Sequence, residues 1–105
     1  MTGTAALYPR HPRSFKPLRG VRIVTLALNL PGPAAAARLK ALGAQVLKIE
    51  PPGGDPRAQM SPALYRALHR GVPVRAVDLK TPQGQADLQA VLQQSDLLLT
   101  AFRPA

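Results

Sequence analysis

The 105-residue sequence has no cysteine and no tryptophan, and its aromatic residues are two tyrosines and two phenylalanines. The lack of cysteine excludes disulfide bonds and thiolate metal sites. No apolar run approaches the roughly 20 residues that a membrane-spanning helix needs, and the first residues lack the apolar core of a secretion signal. We therefore expect a cytoplasmic protein whose core is built from leucine, valine, isoleucine and alanine.

Acidic residues are also scarce, with five against 14 basic residues and a net charge of +9. Such a charge favours an anionic partner. The basic residues are spread along the chain, however, and too few aromatic residues lie between them to stack nucleic-acid bases. We expect a small anionic molecule as the ligand, with no role for nucleic acid or membrane.

Two regions differ in pattern. Residues 1–19 contain Pro9, Pro12 and Pro17 without apolar periodicity, which predicts a flexible leader. Residues 20–105 carry alternating strand and helix patterns, which predict one α/β domain.

The stretch from residue 21 to residue 55 predicts a strand, a turn, a helix, a second strand and a loop. Gly32 and Pro33 mark the helix start, and Gly43 lies where a left-handed helix cap belongs. Two strands joined by one helix form a right-handed parallel unit, whose ligands bind at the carboxyl ends of the strands. Any site should therefore use residues 27–33 and 50–55.

The later segments continue the alternation. We expect a loop over residues 51–56, a short helix capped by Ser61, an edge strand over residues 74–79, a helix starting at Thr81-Pro82 and a fully buried strand over residues 97–99. The fold class is thus a Rossmann-like parallel sheet with flanking helices. The sequence ends where another helix should begin, so we expect an incomplete fold with uncovered apolar surface.

Isolated motifs are uninformative about function. The sequence has no G-x-G-x-x-G fingerprint, P-loop, serine nucleophile elbow or metal constellation. Glu50 ends the second strand, where a ribose-binding acid often lies. We favour the alternative, a solvated side chain near Lys48. We expect His11 and His69 to be surface residues, and Asp78 to cap the turn that follows it.

Sequence blocks in a fixed order are more specific. From residue 17 to residue 104 the chain reads PLRGVRIV, LPGPAAAARLKALGAQVLKIEPPGGDP, LYRALHRG and VDLKTPQGQADLQAVLQQSDLLLTAFRP. This order resembles the amino-terminal part of the family III CoA-transferases, the CaiB/BaiF group, which includes formyl-CoA and carnitine CoA-transferases and α-methylacyl-CoA racemases. The resemblance implies a Rossmann-like domain, an interlocked homodimer, and transfer of CoA between an acyl-CoA and a carboxylic acid, or epimerisation of an acyl-CoA.

The resemblance also assigns residues to the coenzyme. Those at the matching positions are Leu30, Pro31, Pro51, Val77, Asp78, Leu79, Lys80, Ala101, Phe102 and Arg103. It implies that Lys80 and Arg103 face the phosphates and that Phe102 stacks on adenine or lines the pantetheine path. The nucleophilic aspartate of the transferases belongs to a segment after the F-R-P block, so the resemblance assigns no catalytic residue to this sequence, and it implies no metal.

Some positions depart from the family pattern. Pro51 replaces a basic residue, Val72 and Pro73 replace a Lys-Arg pair, and His69 and Ala101 replace asparagines. Each lost charged contact to a phosphate would lower affinity by about one to two decades. Two hypotheses stay open: the amino-terminal portion of a CoA-transferase or racemase that is inactive by itself, or a degenerate, non-catalytic module that binds CoA or another nucleotide, or serves assembly.

Overall fold

The computed structural model describes residues 15–102, which form a four-stranded parallel sheet with flanking helices. The strands are β1 (Arg22–Thr25), β2 (Gln45–Glu50), β3 (Val74–Ala76) and β4 (Leu97–Leu99). The helices are α1 (Pro31–Ala41), α2 (Pro56–Met60), α3 (Pro62–Leu68) and α4 (Pro82–Gln93). None of these helices combines the length and the apolar character needed to cross a membrane. The predicted α/β class is confirmed.

The strand order is β3-β2-β1-β4, with every neighbouring pair parallel. The chain moves outward from β1 through β2 to β3, and α4 then leads it back to β4 on the far side of β1. The order therefore reverses between β1 and β4, which is the position where open parallel sheets bind ligands. The loops that follow the four strands, residues 26–30, 51–55, 77–81 and 100–102, all leave from this carboxyl end.

Alternate residues of the strands feed two separate cores, because successive side chains of a strand point to opposite faces. On one face Ile23 and Val46 pack with Ala36 of α1. On the other face Val24 and Ile49 are buried, and Leu88, Val91 and Leu92 of α4 pack against them. These three residues of α4 are spaced i, i+3 and i+4, so they lie on one face of the helix.

Helix ends follow the sequence signals in α1 and α4. Gly43 lies just after α1 with a φ of 110°, the left-handed conformation that glycine adopts without strain. Thr81 caps α4, since its Oγ1 accepts a hydrogen bond from the backbone N–H of Gly84 at 3.0 Å. Gly84 itself has no room for a side chain, because a Cβ there would lie 1.8 Å from the carbonyl oxygen of Asp78.

The segment after β2 is more structured than predicted. Instead of a loop running through residue 56, α2 begins at Pro56, and Asp55 caps it by accepting the N–H of Arg57 at 2.9 Å. Ser61 is the residue before α3, as predicted, but its side chain makes no capping bond. Its Oγ lies instead 3.4 Å from Nη1 of Arg57.

The last two strands differ from expectation. β3 is at the sheet edge as predicted but ends at Ala76, because Asp78 turns the chain by accepting the N–H of Lys80 at 3.0 Å. The prediction that β4 is fully buried is wrong, since Leu97 and Leu98 are 46% and 44% exposed. Within the described chain β4 pairs with β1 alone, so its outer edge is uncovered.

Most of the predicted leader, residues 1–14, lies outside the described residues. Of the remainder, Leu18 packs against the core on the α1 face and donates its N–H to the carbonyl of Leu42 at 2.9 Å. The boundary between leader and domain stays a prediction.

Candidate functional site

A pocket of about 440 Å³ opens at the carboxyl end of the sheet, on the α4 face. Residues from the end of β2 and from all four post-strand loops line it: Leu26, Leu28, Ile49, Glu50, Pro51, Pro52, Gly53, Val77, Asp78, Leu79, Lys80 and Phe102. Six of the ten residues that the family resemblance assigns to the coenzyme are among them. The structure thus brings Pro51, the segment 77–80 and Phe102 together around one cavity. We call it the carboxyl-end pocket.

Of the other four assigned residues, the three that the structure describes do not line this pocket. Leu30 is exposed just before α1, and Pro31 is the first residue of that helix. Ala101 lies beside the start of α1, where its Cβ would be 3.6 Å from a Cβ placed on Gly32. Arg103 lies outside the described residues.

The walls of the carboxyl-end pocket are mainly apolar. Phe102 is 69% exposed, so its ring is available to a ligand. Lys80 is the cation among the described lining residues, and Glu50 and Asp78 are the acids. The Oδ1 of Asp78 accepts the N–H of Lys80, which confirms its predicted role as a turn cap.

A buried ion cage adjoins this pocket on the other side of β2. The side chain of Lys48 is 1% exposed, and its Nζ lies 2.5 Å from Oδ2 of Asp55, 3.1 Å from Oε2 of Glu50 and 2.7 Å from Nε2 of His69. An ammonium group has three N–H donors, and each one meets an acceptor here. Glu50 is therefore a buried partner of Lys48, and the prediction of a solvated side chain is wrong.

Tyr65 of α3 and His69, the residue just after that helix, complete the cage. The phenol of Tyr65 donates to Oε2 of Glu50 at 2.6 Å, and the two rings stack with centroids 3.9 Å apart. Burial, together with the carboxylate of Glu50, raises the pKa of Tyr65 far above its usual value. With Nε2 accepting from Lys48, the Nδ1–H of His69 donates to the carbonyl of Tyr65 at 2.7 Å. The prediction that His69 is a surface residue is wrong, because it is half-buried and paired.

Asp55 connects the cage to the first loop. Its side chain has no exposed surface, and it accepts the N–H of Asn29 at 3.0 and 3.2 Å as well as the bonds from Lys48 and Arg57. Burial opposes ionisation, but the hydrogen bonds from Lys48, Arg57 and Asn29 outweigh it and hold the pKa of Asp55 below its usual value.

Glu50, Asp55 and His69 also have the donor types of a metal site, with ligand atoms within 4.8 Å of one another. The ammonium of Lys48 lies among these atoms at hydrogen-bonding distances. An internal cation therefore already compensates part of the cluster's negative charge, and the donor atoms are directed at Lys48.

A second concave region lies at the opposite, amino-terminal end of the strands. This amino-end groove measures about 870 Å³, and Lys16, Arg19, Arg22, Lys40 and Arg75 contribute to its lining. It is both larger and more basic than the carboxyl-end pocket. None of the nine described residues that the resemblance assigns to the coenzyme lines it.

Comparison with known proteins decides the family. The family model described as CoA-transferase family III matches residues 18–105. The chain belongs to CoA-transferase family III. It is 37% identical over 100 residues to the succinyl-CoA–D-citramalate CoA-transferase of Chloroflexus aurantiacus, covering 88% of this chain and 25% of that protein. It is also 31% identical over 114 residues to the human succinyl-CoA:glutarate CoA-transferase, covering 97% of this chain and 26% of that protein.

Solved structures support the same assignment. The fold superposes on Rv3272 from Mycobacterium tuberculosis with a TM-score of 0.79 at 37% identity, covering 85% of this chain and 25% of that one. A CAIB/BAIF family protein from Brucella suis gives a TM-score of 0.77 at 29% identity, covering 85% of this chain and 26% of that one. The chain thus spans about a quarter of the length of these family III proteins, and the resemblance found in the sequence blocks is confirmed.

Proposed function

We propose that the carboxyl-end pocket binds the coenzyme A portion of an acyl-CoA. In this proposal the chain supplies part of the coenzyme site of an enzyme that transfers CoA between an acyl-CoA and a carboxylic acid, or epimerises an acyl-CoA. One observation carries the proposal. Six residues assigned to the coenzyme by family resemblance, separated by up to 51 positions in the chain, line one cavity at the carboxyl ends of the strands.

The chemistry of the pocket suits the parts of CoA. The apolar side chains of Leu26, Leu28 and Ile49 can pack against a pantetheine arm, and the exposed ring of Phe102 can stack on adenine. Lys80 can donate to a phosphate oxygen. Glu50 lines the same cavity, but Lys48, which it shares with Asp55, compensates part of its negative charge, and Tyr65 donates a hydrogen bond to it.

The chain's part in the reaction is to bind and orient the thioester. In a transferase of this family, a carboxylate attacks the thioester carbonyl, the C–S bond breaks and CoA leaves as a thiolate. The resemblance places that carboxylate after the F-R-P block, so this proposal gives none of Glu50, Asp55 or Asp78 the nucleophilic role. The family resemblance also supports three further parts of the proposal: a carboxylic acid as the acceptor of CoA, a homodimer and a cytoplasmic location.

Titration with CoA tests the proposal through Lys80. We expect Lys80→Ala to weaken binding by about tenfold, since a charge-assisted hydrogen bond is worth roughly 1.5–3 kcal/mol. The matched control is Arg38→Ala, which removes one positive charge from the exposed side of α1. If Lys80 contacts the ribose phosphate, its loss should matter less for dephospho-CoA. If it contacts the pyrophosphate, both ligands should weaken alike.

The outcomes separate the alternatives. Equal affinity of the wild type and Lys80→Ala for both ligands would remove Lys80 from the site. No measurable CoA binding by the wild type would overturn the coenzyme proposal. Binding without turnover, when the rest of a family III protein is supplied, would favour the non-catalytic module.

A further inference from the structure

Asn29 has an unusual backbone for a residue with a side chain. Its φ is 72°, which makes it the one described non-glycine residue in the left-handed region. Asparagine tolerates this conformation better than most residues but still needs local partners. Asn29 lies in the loop after β1, between Leu28, which lines the carboxyl-end pocket, and the start of α1.

Contacts from the segment after β2 hold Asn29 at two points. Its N–H donates to both carboxylate oxygens of Asp55, at 3.0 and 3.2 Å. Its side-chain Oδ1 accepts from Nε of Arg57 at 3.0 Å. The loop after β1 is thus connected to the first turn of α2 through both its backbone and its side chain.

Asp55 is itself immobilised. It caps α2 through the N–H of Arg57, and the buried Lys48 fixes its other oxygen. Lys48 is in turn fixed by Glu50 of β2 and by His69 just after α3. A continuous series of polar contacts therefore runs from α3 through β2 and Asp55 to the loop after β1.

We infer that Asp55 and Arg57 are positioning residues, which set the loop after β1 against the segment 51–55 and so fix the width of the carboxyl-end pocket. Both segments contribute walls: Leu28 comes from the first, and Pro51 and Gly53 come from the second. Neither Asp55 nor Arg57 lines the cavity, so each acts through Asn29. The consequence for the coenzyme rests on the proposed function, whereas the consequence for the loop does not.

Amide hydrogen exchange of the whole chain tests the effect on the loop without a ligand. We expect Arg57→Ala to speed exchange of the Asn29 amide by about tenfold, while the melting temperature changes no more than in Arg66→Ala. Arg66 is an exposed arginine of α3, so that control removes the same charge. Arg57→Lys keeps a donor and should restore part of the protection. Asn29→Gly removes the acceptor of the Arg57 hydrogen bond, keeps the charge of Arg57 and allows the same φ. Exchange at position 29 should therefore speed up as much as in Arg57→Ala.

CoA titration of the same variants tests the effect on the pocket. Arg57→Ala and Asn29→Gly should each weaken CoA binding by several-fold, and the double variant should be little worse than either one, because both break the same contact. Unchanged exchange at position 29 in Arg57→Ala and Asn29→Gly would overturn the positioning role of Arg57, and unchanged exchange there in Asp55→Asn would overturn that of Asp55. Faster exchange with unchanged CoA affinity would show that the loop does not set the pocket. Failure of the wild type to bind CoA would overturn the proposed function, while the exchange results still decide the positioning role.

Discussion

The two concave regions at opposite ends of the sheet differ in how they are built. The amino-end groove is large and lined by five exposed or half-buried cations, with no described buried ion pair among its lining residues. The carboxyl-end pocket is half that volume and mainly apolar, and the ion cage beside it consists of buried, paired charges. On net charge alone CoA would favour the groove. The exposed cations of the groove can attract an anion, whereas the buried ion pairs at the carboxyl end hold the loops of the pocket in place.

Removing the central cation should have the largest effect. Lys48→Met leaves Asp55 and Glu50 buried without their counter-ion, and breaking such a pair costs roughly 3–5 kcal/mol. We expect that loss in the free energy of unfolding, measured by urea titration. Lys40→Met, at the amino-end groove, is the matched control and should change stability by about 0.5 kcal/mol or less. Similar losses in both variants would remove the difference between the two ends.

Crowding the loop after β3 should have the next largest effect. Gly84→Ala places a Cβ 1.8 Å from the carbonyl oxygen of Asp78, so the pocket segment 77–80 must move away from α4. Overpacking of this kind costs about 1–3 kcal/mol. Gly53→Ala is the control, because a Cβ there meets nothing within 4 Å. A Gly84→Ala variant as stable as Gly53→Ala would show that this loop is not tightly packed.

Acid should lower the free energy of unfolding through protonation of Asp55. The pKa of Asp55 is lower in the folded protein than in the unfolded chain, so its ionisation contributes stability above about pH 4, the unfolded value. That contribution is lost as pH falls through the lower folded pKa. Unfolding free energies measured from pH 6 to pH 2 should fall more steeply for the wild type than for Asp55→Asn. Parallel curves would contradict the account of Asp55.

The smallest stability effect should come from Tyr65→Phe. This variant removes the hydrogen bond to Glu50 but leaves the ring stacked on His69, so we expect a loss of about 0.5–1.5 kcal/mol. Urea titration measures it, and Tyr65→Leu, which removes the ring as well, should cost more. Equal losses in the two variants would mean that stacking and ring packing contribute nothing.

Local signals in the sequence predicted much of the fold. Apolar runs predict the four strands. Gly43 predicts the end of α1, and Thr81-Pro82 predicts the start of α4. Asp55-Pro56 carries the same signal as Thr81-Pro82, a capping residue followed by proline, so α2 was predictable. The composition of residues 51–56, rich in proline and glycine, favoured a loop instead.

The ion cage was harder to predict because it depends on contacts between distant residues. Val46, Lys48 and Glu50 are alternate residues of β2 and therefore lie on the same face. A lysine on a buried strand requires nearby acids. That pattern indicates a partner such as Asp55. Nothing in the local sequence places His69, which is 21 positions from Lys48, against the same ammonium group.

The central claim is that the carboxyl-end pocket, and not the more basic groove, receives the coenzyme. Backbone amide NMR shifts during CoA titration test it directly. We expect the largest shifts at Ile49, Glu50 and Gly53, in residues 77–80 and at Phe102, with little change at Arg22, Gln45 and Arg75 of the amino-end groove. Shifts concentrated at those groove residues would contradict the claim.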